Sequence, residues 1–356
     1  MDMRYALIGC GRISPNHIQA ALKNDLIITA LCDLDINKAK SLIHDFDLSN
    51  EVKIYDDYQE MIKDTKLDLV AIATDSGSHA KIALDCMREN INLIIEKPIA
   101  LSLKDADAII EESKKRNLVV SPSHQNRFNK SIQKVKESLE NGDFGRLFHG
   151  TAHIRWNRDK SYYSQDSWRG TFEKDGGALM NQCIHNIDLL RWLMGNDIDE
   201  VYAITDNLNH PYLETEDLGL AIIKFKNGSY GMIEGTNNIY PKNLEETLYI
   251  FGENGTFKAG GQSVNIIEEW LFKNSAEIAE VVKETYSEFP PNVYGYGHTP
   301  LYKDVIKAMA EQKSPYITPE DGRNALELVL AIYLSSKENR PVKLPLKDVS
   351  TVDFKR

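Results

Sequence analysis

Short apolar runs recur at a steady interval through the first 120 residues: RYALIGC (4–10), LIITALC (26–32), LDLVAIAT (67–74), NLIIEKP (92–98) and NLVVSPS (117–123). Each is rich in Val, Ile and Leu and is cut off by Gly, Asp or Pro, the pattern of strands buried on both faces. Between them, PNHIQAALKN, DINKAKSLIHDF, YQEMIKD, HAKIALDCMREN and LKDADAIIEESKKRN place apolar residues at helical spacing. Strand–helix alternation of this kind predicts a doubly wound parallel sheet with helices on both faces, assigned here to residues 1–124. Beyond Arg127 the texture changes. One helical segment, KSIQKVKESLENG, gives way to longer alternating strands: FHGTAHIRWN, DEVYAITDNL, LGLAIIKFKNGSYGMIEGTNN and ETLYIFGENGTFKAGG. KNGS and GENGT read as hairpin turns. Residues 125–356 are therefore expected to form an α+β domain, closed by helices near 298–312 and 319–338. The fold class is α/β followed by α+β.

Composition narrows the function. A chain of 356 residues exceeds one ordinary core, so two domains are expected. Its net charge of −11 and pI near 5.4 argue against nucleic acid or an anionic membrane as partner, while leaving room for an anionic small molecule in a locally positive pocket. No run approaches the roughly 18 apolar residues of a membrane span. Cys10, Cys32, Cys86 and Cys183 lie far apart, without CxxC or a His/Cys cluster, so no metal site is expected and a reducing, cytoplasmic location is.

Candidate chemistry starts where the first strand turns into a helix. In YALIGCGRIS, Gly9 permits the tight turn, Gly11 lets backbone approach a pyrophosphate, and Ser14 is small enough for close helix–strand packing. Asp33 ends the second run, 24 residues after Gly9, where a carboxylate would bind ribose hydroxyls and repel a 2′-phosphate. No Arg follows it, which favours NAD over NADP. An alternative role for Asp33 is capping the helix that follows. Two further runs end in ATDSGSHA, with Thr74, Ser76 and His79, and in IIEKPIA, with Glu96 and Lys97. Parallel sheets bind ligands at such carboxyl ends.

DGGALMNQCIHNIDLL (175–190) has no Lys, Arg or Glu, yet spaces Asn181, His185 and Asp188 at i, i+4 and i+7. On one helix these fall within about 60° of each other, opposite Leu179, Cys183, Ile187, Leu190 and Met194. A helix apolar nearly all round is buried, and its few polar groups must find partners or work to do. A satisfied core histidine is the bland alternative; a catalytic stripe is the reading preferred.

Gly9-x-Gly11, EKP at 96–98 and GGxxxNxxxHxxD at 176–188, in this order, resemble the Gfo/Idh/MocA family of NAD(P)-dependent oxidoreductases across essentially the whole chain. The resemblance implies a Rossmann domain, then a domain whose large, mostly antiparallel open sheet makes homo-oligomer contacts, as a dimer or tetramer. It implies a site between the domains where Lys97 and His185 flank a sugar or cyclitol. Many members carry Asp at the position of Asn181, which cannot titrate. HQNRFNKS (124–131), RWNRDKSYYSQDSWRGTFEKDGGALMNQCIH (155–185), NLEETLYIFGENGTFKAGG (243–261) and PPNVYGYGH (290–298) resemble more narrowly the bacterial UDP-N-acetyl-2-amino-2-deoxyglucuronate (UDP-GlcNAcA) dehydrogenases. Those oxidise the sugar C3 hydroxyl on the way to surface polysaccharide.

These resemblances set the expectations for the site. Histidine is suited to accept the hydroxyl proton at neutral pH, and Lys97 would bond the same oxygen; which is formally the base stays open. Asp188 would orient the helix or the imidazole. The cofactor, NAD, is expected at Gly9, Gly11, Arg12, Ile13, Asp33, Thr74, Ser76, His79, Glu96, Lys97, Gln125, Trp168 and Arg169. A nucleotide-sugar substrate is expected at Lys97, Arg127, Arg155, Arg158, Tyr163, Asn181, His185, Tyr296 and His298, because arginine forks match carboxylate and phosphate oxygens. Rivals are an inositol or free-sugar dehydrogenase, whose pocket needs hydroxyl partners more than arginines, and a non-catalytic NAD-binding regulator.

Overall fold

The computed structural model describes residues 3–273 and 277–355. They divide into two compact units. The first comprises residues up to His124 together with His298–Arg323; the second comprises Gln125–Gly297 and the residues from Asn324 on.

Six parallel strands form the sheet of the first unit: β1 (Arg4–Ile8), β2 (Ile27–Cys32), β3 (Lys53–Tyr55), β4 (Leu69–Ile72), β5 (Asn92–Ile95) and β6 (Val120–Pro122), in the order β3-β2-β1-β4-β5-β6. Strand β3 had no apolar run to announce it; it is three residues long at the sheet edge. Leu7, Leu31, Leu69 and Ile94 are fully buried between the helical layers, each worth about 1.5–3 kcal/mol. Strand order reverses between β1 and β4, which opens a crevice at the carboxyl ends beside Gly9. The 298–323 stretch, expected in the second domain, packs here instead. Tyr302, on the helix His298–Glu311, is fully buried with its hydroxyl 2.8 Å from that of Tyr5 on β1, and Asn24 Nδ2 donates to Thr299 O at 3.0 Å.

The second unit is built on eight strands: β7 (Leu147–Arg155), β8 (Ile198–Asp206), β9 (Leu218–Phe225), β10 (Tyr230–Thr236), β11 (Glu245–Gly252), β12 (Gly255–Gly260), β13 (Ile266–Phe272) and β14 (Val342–Lys343). Their order is β13-β12-β11-β7-β10-β9-β8-β14, antiparallel except for β7 and β10. Both expected hairpin turns are present, between β9 and β10 and between β11 and β12. One face packs against helix Ile184–Met194. Gly150, Gly219 and Gly235 make this approach close: a Cβ at these positions would stand 2.5–2.8 Å from Leu190, Leu179 and Cys183 side-chain atoms. The other face carries exposed Phe148, Ile204, Ile222, Tyr230 and Met232.

All four cysteines are buried and hold no disulfide. Among the described residues no helix is long and apolar enough to cross a membrane.

Candidate active site

In the first unit the glycines of the β1 turn have distinct jobs. Gly9 has φ +94°, and a Cβ there would lie 2.4 Å from Ala73 O; its N–H donates to Cys32 O at 2.8 Å. It is squeezed between neighbouring strand ends. Gly11 is the opposite case, with no atom within 4 Å of where a Cβ would sit. Helix Ser14–Lys23 begins beside it with no side-chain cap and no acid in its first turn, and Ser14 Oγ donates back to Gly11 O. An open glycine before an uncapped helix N-terminus suits a pyrophosphate; Arg12 and Ile13 lie in this turn. Asp33 is not the cap of the next helix. Asp35 is, accepting from Asn37 N–H, while the Asp33 carboxylate accepts from Cys10 N–H and Asp35 N–H, both at 2.8 Å. Those bonds hold it at the end of β2 with lone pairs left for ribose hydroxyls.

At the end of β4, the Thr74 and Ser78 hydroxyls lie 2.7 Å apart and Ser76 is buried. His79 does not project towards a ligand. It is buried, with Nδ1 2.8 Å from Pro98 O and Nε2 3.2 Å from Thr74 O, so it clamps the EKP turn to the β4 end. Burial pulls its pKa down against the opposing effect of the Pro98 carbonyl. Glu96 is buried as well, aimed at His17 and His298, whereas Lys97 is half-buried. Expectations for three residues thus change: His79 and Glu96 are occupied by protein, and His298 faces Glu96 in the first unit.

In the second unit, helix Ile184–Met194 buries every residue except His185, which is half-exposed. The single long helix expected from 178 onward is two. Ala178–Asn181 ends before Cys183, whose N–H reaches back to Ala178 O, and the longer helix restarts at Ile184. The break accompanies the tight packing of Leu179 and Cys183 on Gly235. Asn181 therefore sits on the short piece, its Nδ2 donating to Asp175 Oδ1. Asp188 anchors the helix, the first of the two roles expected of it. Its carboxylate is gripped by Arg127, Nε to Oδ2 at 2.7 Å and Nη2 to Oδ1 at 2.5 Å, with the guanidinium stacked 4.7 Å over Trp192. Both side chains are only 1% exposed, so Arg127 tethers the helix, its guanidinium committed to Asp188.

Arg155 is also spoken for: it lies on the open face of β7 between Glu234 and Glu245. Tyr163 is buried, its hydroxyl accepting from Asn237 Nδ2 at 2.7 Å. Arg158 and Arg169 form an aromatic-lined cluster, with Arg158 4.6 Å from Trp156 and Arg169 4.5 Å from Trp168 and 4.6 Å from Tyr162. Arg158 Nε is buried without a partner. Gln125 is buried with its amide oxygen unpaired, and exposed Tyr296 donates to Phe289 O at 3.2 Å.

Sequence reading missed Glu216. Its Oε1 accepts from Leu179 N–H at 2.8 Å and Tyr333 Oη at 2.9 Å, and burial pushes its pKa up to about 8. Gly177, at φ +96°, exists because a Cβ there would collide with that carboxyl. The Gly-Gly pair was the one signal. Glu246, likewise buried and pushed to about 8 against the pull of Arg158, had none.

Two family models cover the chain: "Oxidoreductase family, NAD-binding Rossmann fold" over residues 3–124 and "Oxidoreductase family, C-terminal alpha/beta domain" over residues 136–344. The chain belongs to the Gfo/Idh/MocA oxidoreductase family. It is an NAD-dependent dehydrogenase, and the open Gly11 cradle and the placed Asp33 carboxylate fit that cofactor. The WlbA dehydrogenase of Bordetella pertussis, solved with NADH and UDP-GlcNAcA, is 32% identical, with 97% of this chain and 99% of that one covered at a TM-score of 0.88. The WlbA dehydrogenase of Chromobacterium violaceum, solved with the same two ligands, is 33% identical, with 97% of each chain covered and a TM-score of 0.88. Myo-inositol 2-dehydrogenase of Thermotoga maritima is 27% identical over 354 residues, 96% of this chain and 98% of that protein.

Proposed function

We propose that the protein oxidises the C3 hydroxyl of UDP-GlcNAcA to the 3-keto sugar, with NAD as acceptor, in the assembly of surface-polysaccharide sugars. The observation that carries the catalytic part is the exposure of His185 alone on an otherwise buried helix. Ten buried neighbours hold the helix in place, so the imidazole is offered at a fixed position, and imidazole is the side chain matched to proton removal near neutrality. Lys97, half-buried after β5, would bond the reacting oxygen and stabilise developing negative charge. NAD, when bound, would supply the hydride acceptor; the proton is left to these side chains.

The substrate part draws support from the two WlbA likenesses, both above 30% identity over nearly the full chain. Of the three arginines expected at the substrate, Arg158, with its Nε buried and unpartnered, remains suited to an anion; Arg169, expected at the cofactor, is paired with Asp166 at 3.1 Å. Inositol is the second reading, favoured by the full-length likeness to myo-inositol 2-dehydrogenase and by the engagement of Arg127 and Arg155 with carboxylates. Comparison of NADH formation from UDP-GlcNAcA, myo-inositol and glucose distinguishes them: kcat/KM should be highest for UDP-GlcNAcA, and a higher value for inositol would reverse the order of the two readings.

We further propose that the exposed apolar face of β7–β10 is covered by a second copy of the chain, since contiguous apolar surface of this kind marks an interface. Light scattering should give a dimer or tetramer, and Ile222→Glu should shift it towards monomer; a monomeric parent protein would refute this.

A further inference from the structure

Glu96 is the hub of a buried hydrogen-bond chain. Its Oε1 accepts from His17 Nε2 at 3.1 Å and faces His298 Nε2 at 3.5 Å, while its Oε2 accepts the Lys97 backbone N–H at 3.2 Å. His17 Nδ1 lies 2.7 Å from the Tyr302 hydroxyl, itself 2.8 Å from the Tyr5 hydroxyl. Glu96, at 7%, is the most exposed of the five side-chain bearers.

The direction of the chain follows from donor chemistry. An ionised carboxylate only accepts, so His17 presents Nε2–H to Glu96. In the neutral ring Nδ1 holds a lone pair and takes the Tyr302 proton, and Tyr302 takes that of Tyr5. Each link points towards Glu96, and a chain so aligned stabilises the charge at its end. Burial alone would push this carboxyl up; the His17 hydrogen bond and the His298 ring 3.5 Å away outweigh it and hold Glu96 well below the usual carboxylate range. His17, Glu96 and His298 also bring ligand atoms within 4.8 Å of one another, a spacing a metal ion would accept. The polarity argues otherwise, because a protonated Nε2 on His17 has no lone pair to give.

We propose that His17 and His298 are positioning residues for the dehydrogenase reaction, acting through the Glu96 carboxylate on the backbone from which Lys97 projects. This rests on the reading of Lys97 as a working residue. The other titratable groups around the hub are Tyr302 on the His298 helix, His79 on its own helix and Lys97 next in the chain. None replaces the His17 donor.

The test compares His17→Phe, which keeps a ring and loses the donor, with His17→Gln, which keeps an N–H. His17→Phe should lower kcat about 10–100-fold, the scale of a small misplacement of a reacting group, with KM for substrate and affinity for NAD unchanged. His17→Gln should recover most of the rate. The acid limb of kcat should move to higher pH in His17→Phe, because Glu96 without that donor is protonated earlier. The melting temperature of ligand-free protein gives an activity-independent readout. The depressed Glu96 pKa contributes stability above the unfolded-state value that is lost as pH falls through the folded one, so His17→Phe should lose it at higher pH than the parent. Equal losses in both variants, or an unmoved acid limb, would overturn the proposal. Should His17→Phe fail to fold, His298→Leu and His298→Gln make the same comparison. If UDP-GlcNAcA is not turned over, the ratios are measured with myo-inositol, which separates failure of the substrate reading from failure of this one.

Discussion

Arg127→Leu should destabilise the second unit strongly and leave substrate affinity unchanged. Arg127 and Asp188 are each 1% exposed and joined by two hydrogen bonds, with the guanidinium over Trp192. Removing one partner strips the other buried charge of both these bonds, at a cost of about 3–5 kcal/mol. For a unit of this size each kcal/mol moves the melting temperature by about 2–4 °C, so a fall of about 6–20 °C is expected. The double variant Arg127→Leu/Asp188→Leu leaves no buried charge and should recover most of that loss, since apolar replacement of a whole pair is often neutral. Scanning calorimetry gives the transition, and initial rates below it give KM. A melting temperature unchanged within error, together with a KM raised about tenfold or more (about 1.4 kcal/mol), would refute the tether and restore Arg127 to the substrate.

Gly11→Val should melt close to the parent, because the space is open, yet weaken NAD binding at least about tenfold by calorimetry; unchanged affinity would move the pyrophosphate elsewhere. Asp33→Ser with Leu34→Arg should raise kcat/KM for NADP relative to NAD by about 10–100-fold, since a like-charge clash worth several kcal/mol is removed; an unaltered ratio would deny Asp33 its ribose role. Glu216 has its folded pKa raised to about 8, so its stabilising contribution is full below the unfolded carboxyl value and is lost as pH rises through about 8. Glu216→Gln keeps the acceptor for Leu179 and Tyr333 and should gain on the parent in melting temperature between pH 5 and 9; parallel curves would contradict the shift.

Legibility in the sequence followed physical range. The β1 turn was readable because Gly9, Gly11 and Asp33 obey local rules: a positive φ, an open approach and a strand-end carboxylate. His185 was readable because a polar group on an apolar helix stands out. Roles set by distant partners were not. Arg127 and Asp188 are 61 residues apart, and only folding reveals that the fork expected for a phosphate grips a carboxylate. His298 was expected at the substrate, yet its helix packs beside β1 and its ring faces Glu96. Arg155 looked available until β10 and β11 supplied Glu234 and Glu245. The helix break at Cys183 escaped notice because the packing it accompanies, on the bare backbone of Gly235, involves a strand some fifty residues further on.

The measurement closest to the central claim uses UDP-GlcNAcA carrying deuterium at C3, incubated with NAD and either the parent protein or His185→Ala. Mass spectrometry of both products should find the deuterium in NADH and a 3-keto sugar without it, with turnover by His185→Ala lower by orders of magnitude while NAD still binds. Deuterium retained in an oxidised sugar, or full activity in His185→Ala, would contradict the account.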